Sequence, residues 1–167
     1  MNLPVKPSEK DDVGYEVRQC APGKLTPEEL KRCMAIIGHG GAVNFDTMKR
    51  DLPRSQVLAV ARYHGEIVGV GAIKPVRKEY AAGIAIKSAY AFPADTPELG
   101  YVSVDPAHRG HGLSHEITKL LLSQHTSRLF ATTDSPPMKK TLTDAGFRQE
   151  GKEWDGERGV LSFWERK

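Results

Sequence analysis

Residues 98–122 read ELGYVSVDPAHRGHGLSHEITKLLL, and three kinds of local structure follow one another within them. Leu99-Gly100-Tyr101-Val102-Ser103-Val104 is rich in β-branched and aromatic residues, which predicts a strand. Asp105-Pro106 ends it, because proline has no N–H to give to a sheet ladder. Arg109-Gly110-His111-Gly112 then forms a glycine-bearing turn, and Leu113, Ile117, Leu120 and Leu121 recur behind it at helical spacing.

Strand, glycine turn and helix in that order can bind an anion. A helix start leaves backbone N–H groups unpaired and carries roughly half a positive charge from its dipole. Glycines let a phosphate approach the backbone with no Cβ in the way, and Arg109 adds a fixed cation beside them. An R-G-x-G run is also compatible with an ordinary turn. The pattern matches neither common nucleotide fingerprint, since no Lys-Ser/Thr follows the last glycine and G-x-G-x-x-G is incomplete.

The segment resembles the central motif of the GNAT superfamily of acyl-CoA-dependent N-acetyltransferases, [R/Q]-x-x-G-x-[G/A] after a strand ending V-x-P. The motif positions here are Arg109, Gly110, His111, Gly112, Leu113 and Ser114, with serine where the family has glycine or alanine. The resemblance covers roughly residues 56–166, and residues 1–55 match in general pattern only. It implies an α/β protein of the GNAT fold: a mixed, mostly antiparallel sheet of six or seven strands with helices on both faces. The cofactor would enter a splay between the strand ending at Val104 and the one ending at Thr133.

The rest of the chain is consistent with one domain. A length of 167 residues is enough to bury a core, and 39% hydrophobic with 27% charged residues is ordinary for a globular protein. A net charge of +3 suits an anionic cofactor, but it is too small and scattered to argue for nucleic acid. Cys20 and Cys33 lack metal-ligand or C-x-x-C spacing, which fits a reducing cytoplasm, and no metal site is assigned to the histidines. No apolar run approaches the roughly 18 residues of a span and no charged-then-apolar leader is read, so neither a membrane span nor a signal peptide is expected.

Residues 1–14 are polar and proline-broken and predict a flexible arm ahead of a single domain over 15–167. Tyr15–Cys20 alternates as a first strand. Thr26-Pro27-Glu28-Glu29 is a capping box, and Leu30, Cys33, Met34 and Ile37 continue a helix that Gly38 is expected to close. A second short helix is expected from Phe45 to Leu52. Gln56–Tyr63 and Glu66–Ile73 predict an antiparallel hairpin around His64-Gly65. Residues 75–97 then form an inserted segment longer than the family's usual connection, with a helix expected over Arg77–Ala89. A strand at Arg128–Thr133, a helix at Met138–Ala145 capped by Gly146, and strands at Arg148–Trp154 and Gly159–Glu165 complete the chain.

Acetyl transfer from a thioester to an amine requires a held cofactor, a base for the amine and a donor for the developing oxyanion. By resemblance, the backbone from Arg109 to Ser114 cradles a pyrophosphate, while Val102 and Val104 pair with the pantetheine arm of acetyl-CoA. Glu98 sits six residues before Val104, where some protein-acetylating members carry their catalytic glutamate, and is the candidate base; it could equally be a strand-start surface residue. The superfamily's usual tyrosine acid is replaced by Leu142, and the asparagine that usually opens that helix by Ser135. Ser135 is therefore a candidate both for a cofactor contact and for thiolate protonation, alongside water or another tyrosine. His39, Tyr90 and Phe92 are candidate acceptor contacts. The implied function is transfer from acetyl-CoA to a primary amine, with a small molecule favoured. Acetylation of a protein N-terminus or lysine and non-catalytic acyl-CoA sensing are the alternatives. Homodimerisation is a common habit of the superfamily.

Overall fold

Among the described residues seven strands divide into two antiparallel sheets, joined by one isolated bridge. The computed structural model describes residues 13–40 and 44–167; residues 1–12 of the expected arm, and Gly41 beside His39, lie outside these. Strands β1 (Tyr15–Cys20), β2 (Val57–Tyr63), β3 (Glu66–Ile73) and β4 (Leu99–Val104) form the first sheet in sequence order. Strands β5 (Leu129–Thr133), β6 (Arg148–Asp155) and β7 (Val160–Arg166) form the second, in the order β5-β7-β6. The junction is a parallel bridge between Glu98 and Phe130, reinforced by the Phe130 N–H, which donates to the Pro97 carbonyl at 3.1 Å.

Beyond that bridge β4 and β5 part. On β3, Ala72 pairs with Gly100 and Val70 with Ser103, so β4 carries one residue more than its partner over this stretch. The extra residue is a bulge at Tyr101, whose φ of 56° is left-handed. A bulge bends its strand and drops one residue out of the ladder, which turns β4 away from β5 toward its C-terminal end. The expected mixed sheet with helices on both faces is thus present, split along the seam where the cofactor was expected.

Local signals explain the helices. In α1 (Pro27–Gly40) the Glu29 N–H donates to Thr26 Oγ1 at 3.1 Å, and the Thr26 N–H donates to Glu29 Oε1 at 3.0 Å. The helix runs two residues past the expected stop, because Gly38 is an ordinary helical residue and not a left-handed cap. Asn44 caps α2 (Phe45–Asp51) by accepting from the Thr47 N–H, and Leu52-Pro53-Arg54 ends it in one 3-10 turn. The inserted segment contains α3 (Lys78–Ser88), closed by left-handed Ala89. Helices α4 (Leu113–Ser123) and α5 (Pro136–Asp144) follow the glycine turn and Ser135 respectively.

Three apolar clusters fix the layers. Leu113, Ile117 and Leu121 of α4 and Leu142 of α5 pack on one face with Ala59, Ala61, Leu99, Leu129 and Ala131. On the other face α1 and α2 bury Cys33, Ile37, Met48 and Leu52 against Leu58, Val60, Val70 and Tyr101. Beside them α3 buries Ala81 and Ile84 against Phe130 and Phe163 of the second sheet. Helix α4 approaches β3 closely over Gly69 and Gly71; a Cβ on Gly71 would lie 2.5 Å from Ile117 Cγ2 and 3.2 Å from Leu121 Cδ1. Among the described residues no helix is long and apolar enough to cross a membrane.

Two glycines with opposite surroundings test this packing. Gly71→Val forces α4 off β3 and is expected to destabilise the fold by about 1–3 kcal/mol or more. Gly83→Ala adds a methyl where nothing lies within 4 Å, inside α3, and is expected to stabilise by roughly 0.5–1 kcal/mol. Urea midpoints of both variants check the sign of each; a Gly71→Val protein as stable as the wild type removes the close-packing account.

Candidate functional site

The open end of the seam is built around the glycine turn. Asp105 accepts the Ala107 N–H at 2.9 Å and, through Oδ2, the Arg32 guanidinium of α1 at 2.5 Å. These bonds hold Asp105 well below the usual carboxylate range, the Ala107 N–H contributing most and Arg32 next. Arg109 Nε donates to the Val104 carbonyl at 3.3 Å, which ties the turn to the end of β4. Gly110 and Gly112 take φ of 90° and 72°, and a Cβ on either would project into open space. Gly112 caps α4 without a side-chain bond, so nothing of its own covers the first-turn N–H groups of that helix.

Behind the turn lies a ring cluster. The Tyr15 hydroxyl is 2.7 Å from His108 Nδ1, and the Tyr15 ring packs 4.5 Å from that of Tyr63 and 5.0 Å from that of His111. Leu113 is buried and offers only its backbone, while Ser114 is half-buried at the helix start. Val102 is half-buried and Val104 buried on β4, which pairs with β3 along one edge and faces the seam along the other. Ser135 lies at the corresponding end of β5, where its Oγ caps α5 by accepting the Met138 N–H at 3.4 Å. It is five residues beyond Phe130, on the order of 15 Å along an extended chain. That puts it at the open end of the seam, away from Glu98.

The closed end of the seam is a buried charge cluster. Glu98 is 6% exposed, and its Oε1 meets Lys74 Nζ at 3.2 Å and Arg77 Nη2 at 3.0 Å. Arg77 also reaches Asp51 Oδ2 at 3.5 Å, and Asp51 Oδ1 takes Arg50 Nε at 3.0 Å. Asp51 Oδ2 is buried and makes no hydrogen bond in spite of that ion pair. The Lys74 ammonium lies 4.0 Å over the Tyr101 ring and fits because Gly100 has no side chain; a Cβ there would come within 2.5 Å of Lys74 Cε. Burial lowers the Lys74 pKa, with Glu98 pulling the other way. Burial also pushes Tyr101 up to about 12.

Arg77 and Tyr80 form the wall between this cluster and a cavity. The Arg77 guanidinium sits 4.0 Å over the Tyr80 ring. Tyr80 is 37% exposed, yet its pKa is raised, chiefly by burial. Outside the wall is a cavity of about 400 Å³ lined by Thr47, Arg50, Arg77, Lys78, Glu79 and Tyr80. Inside it, the gap beside Glu98, Thr96 and Phe130 holds no room for a water molecule.

The aromatic residues expected to line the acceptor pocket take another position. Phe92 packs 4.9 Å from Phe130 and 4.7 Å from Phe163, and Tyr90 packs 5.5 Å from Phe163. The Tyr90 hydroxyl donates to buried Glu165 at 2.6 Å, which raises its pKa to about 12. Both residues anchor the inserted segment to the second sheet; Tyr80 is the aromatic residue of that segment on the cavity wall. His39 is exposed in the last turn of α1 and is not among the cavity residues. Sequence reasoning missed Asp51, Lys74 and Arg77. Two signals were available: a carboxylate in the last turn of α2, where it opposes the helix dipole, and a lysine directly after the apolar run of β3.

Residues 27–141 match the model of the acetyltransferase (GNAT) family. No curated protein matches the chain. Among solved structures, a GNAT-family acetyltransferase from Streptococcus agalactiae aligns over 92% of this chain and 95% of its own, at 16% identity and a TM-score of 0.66. Escherichia coli ElaA aligns over 92% and 99% respectively, at 12% identity and a TM-score of 0.64. The yncA protein of Salmonella typhimurium, solved with its cofactor acetyl-CoA, aligns over 92% and 93%, at 15% identity and a TM-score of 0.62.

The buried lysine gives a pH signature. Its folded pKa lies below its unfolded value near 10.4, so between the two the unfolded chain binds more protons and stability rises with pH. Tyr90 and Tyr101 act in the opposite sense between about 10 and about 12, so the comparison must be a difference. The stability of the wild type minus that of Lys74→Met is expected to rise with pH until about 10.4 and then level off. A flat difference curve from chemical denaturation at pH 7 to 11 would exclude the depressed lysine.

Proposed function

The chain belongs to the acetyltransferase (GNAT) family, and on that footing we propose that it moves the acetyl group of acetyl-CoA to the primary amine of a small molecule by direct attack. The observation that carries this reading is the seam between β4 and β5, with an uncapped helix start at its open end and a buried carboxylate at its closed end. The residues at the open end fit the cofactor: the space over Gly110 and Gly112 is one that a Cβ would fill, with Arg109 beside it. When bound there, acetyl-CoA supplies the acetyl group as a thioester.

Arg109 and the N–H groups of Gly110 to Ser114, His111 and Leu113 included, hold the pyrophosphate, and Ser135 adds a polar contact from the end of β5. Val102 and Val104 offer backbone groups of β4 to the pantetheine arm. The bulge at Tyr101 leaves a backbone N–H outside the ladder, available to a carbonyl oxygen. Glu98 accepts the amine's proton. Because Arg77 occupies Oε1 at 3.0 Å and closes Glu98 off from the cavity, an incoming ammonium reaches the carboxylate by replacing the guanidinium, one cation for another. With Leu142 wholly buried in the core, water, Ser135 or another tyrosine supplies the proton for a leaving thiolate. The hollow of about 400 Å³ beside the wall of Arg77 and Tyr80 has room for a small acceptor.

Two variants and one assay test this. Gly112→Val adds a side chain at a left-handed position in the cradle and is expected to abolish coenzyme A binding by calorimetry while the far-UV spectrum is retained; undiminished affinity in the folded variant removes the cradle. Glu98→Gln is expected to lower kcat by roughly 10²–10⁴-fold with little change in acetyl-CoA Kd, and to flatten the acidic limb of the pH–rate profile. A pH–rate profile that keeps its acidic limb in this variant dismisses Glu98 as the base. Thiol release from acetyl-CoA across a panel of amines reports turnover itself; tight cofactor binding with no turnover replaces the enzyme by an acyl-CoA sensor.

A further inference from the structure

We infer that Lys74 is itself an acetyl acceptor, a site at which the enzyme modifies its own chain; this rests on the acetyltransferase reading above and goes beyond it. Lys74 is the only buried lysine among the described residues. Its backbone is fixed between strands, because the Lys74 N–H donates to the Glu98 carbonyl at 2.8 Å, one step beyond the Ile73–Leu99 pair. Its side chain lies over Gly100 of β4. A Cβ on that glycine would come within 2.5 Å of Lys74 Cε and 3.0 Å of Nζ, and the Tyr101 ring is 4.0 Å from Nζ. The amine thus rests against β4 at the bulge, beside the backbone N–H that is offered above to a carbonyl oxygen.

The base is already in contact with this amine. Lys74 Nζ lies 3.2 Å from Glu98 Oε1, whereas an external ammonium reaches that carboxylate only by replacing Arg77. Burial disfavours the charged form of Lys74, so the neutral, nucleophilic amine is easier to reach there than at an exposed lysine. In the step, Nζ attacks the thioester carbonyl carbon with its lone pair. A C–N bond forms, the C–S bond breaks, and the electron pair leaves on the coenzyme A sulfur. Of the two protons that the ammonium loses, one ends on that sulfur and the other passes through Glu98 to solvent. The product is an Nε-acetyl-lysine, an uncharged amide, and it withdraws one of the two cations paired with Glu98.

The test incubates the full-length protein with acetyl-CoA and no added amine, and maps acetyl groups by peptide mass spectrometry. Lys74 is expected to be acetylated roughly 100-fold faster than exposed Lys87 and Lys140, a margin well within what proximity supplies. Its rate per molecule is expected to be independent of protein concentration. Chemical acetylation gives the reverse order, since a buried amine then reacts last. Two comparisons isolate the cradle: Gly112→Val with acetyl-CoA, and the wild type with S-acetyl-N-acetylcysteamine, a thioester without a pyrophosphate, at equal concentration. Each is expected to remove the preference for Lys74 and to leave the exposed lysines as they were. The acetylated protein has no amine at this position to titrate, so its stability is expected to follow that of Lys74→Met in the same denaturation series. Exposed lysines modified ahead of Lys74, or Lys74 modified equally by the short thioester, overturn the inference. Thiol release with an external amine in the same preparation then leaves the acetyltransferase reading standing. Bound acetyl-CoA with neither thiol release nor an acetyl group on Lys74 overturns both.

Discussion

The single bridge between Glu98 and Phe130 is the contact on which the rest of the arrangement turns. Had β4 and β5 paired along their length, one continuous sheet would have covered the middle of the molecule and left no room for an extended ligand. Pairing stops after one bridge because β4 spends a residue on the bulge at Tyr101 and bends. The same bulge sends the Tyr101 ring into the α1–α2 face, where it supports the Lys74 ammonium. One irregularity in one strand thereby opens the seam and positions the charges at its closed end.

Burying four charges there carries a large desolvation cost, and an apolar cluster of the same volume would hold the fold at least as well. The cluster is better understood by what it links. Asp51 ends α2, Lys74 follows β3, Arg77 precedes α3 and Glu98 precedes β4, so four element ends meet within ion-pair distance. Arg32 makes a similar tie at the open end, joining α1 to Asp105 before the glycine turn. Arg77 and Tyr80 border both the cavity and the gap beside Glu98, so the two spaces share one wall.

The inserted segment is anchored at its far end. Tyr90 and Phe92 clamp its return to the second sheet, and β6 yields to it: left-handed Gly151 leaves space where a Cβ would come within 2.4 Å of the Ser88 carbonyl. That anchoring holds the first turn of α3 beside the cavity, which neither aromatic residue lines.

Most of the fold was legible in the sequence because its signals are local. The Thr26–Glu29 capping box, the His64-Gly65 hairpin, the Pro106 stop and the Arg109–Gly112 turn each act within a few residues, and each element formed where those residues put it. Family resemblance extended this to the seam and the cofactor, and the family match reaches back to residue 27, across the region whose pattern had looked only general. What tertiary structure alone decided is who faces whom at the closed end. Asp51, Lys74 and Arg77 are up to 47 residues from Glu98 along the chain, and a charge's partner across such a span is set by how layers pack, which no local periodicity encodes. Tyr90 and Phe92 show the same limit from the other side: aromatic character marked them as important, but only the packing of α3 on Phe130 and Phe163 decided that they hold the wall up while Tyr80 forms it.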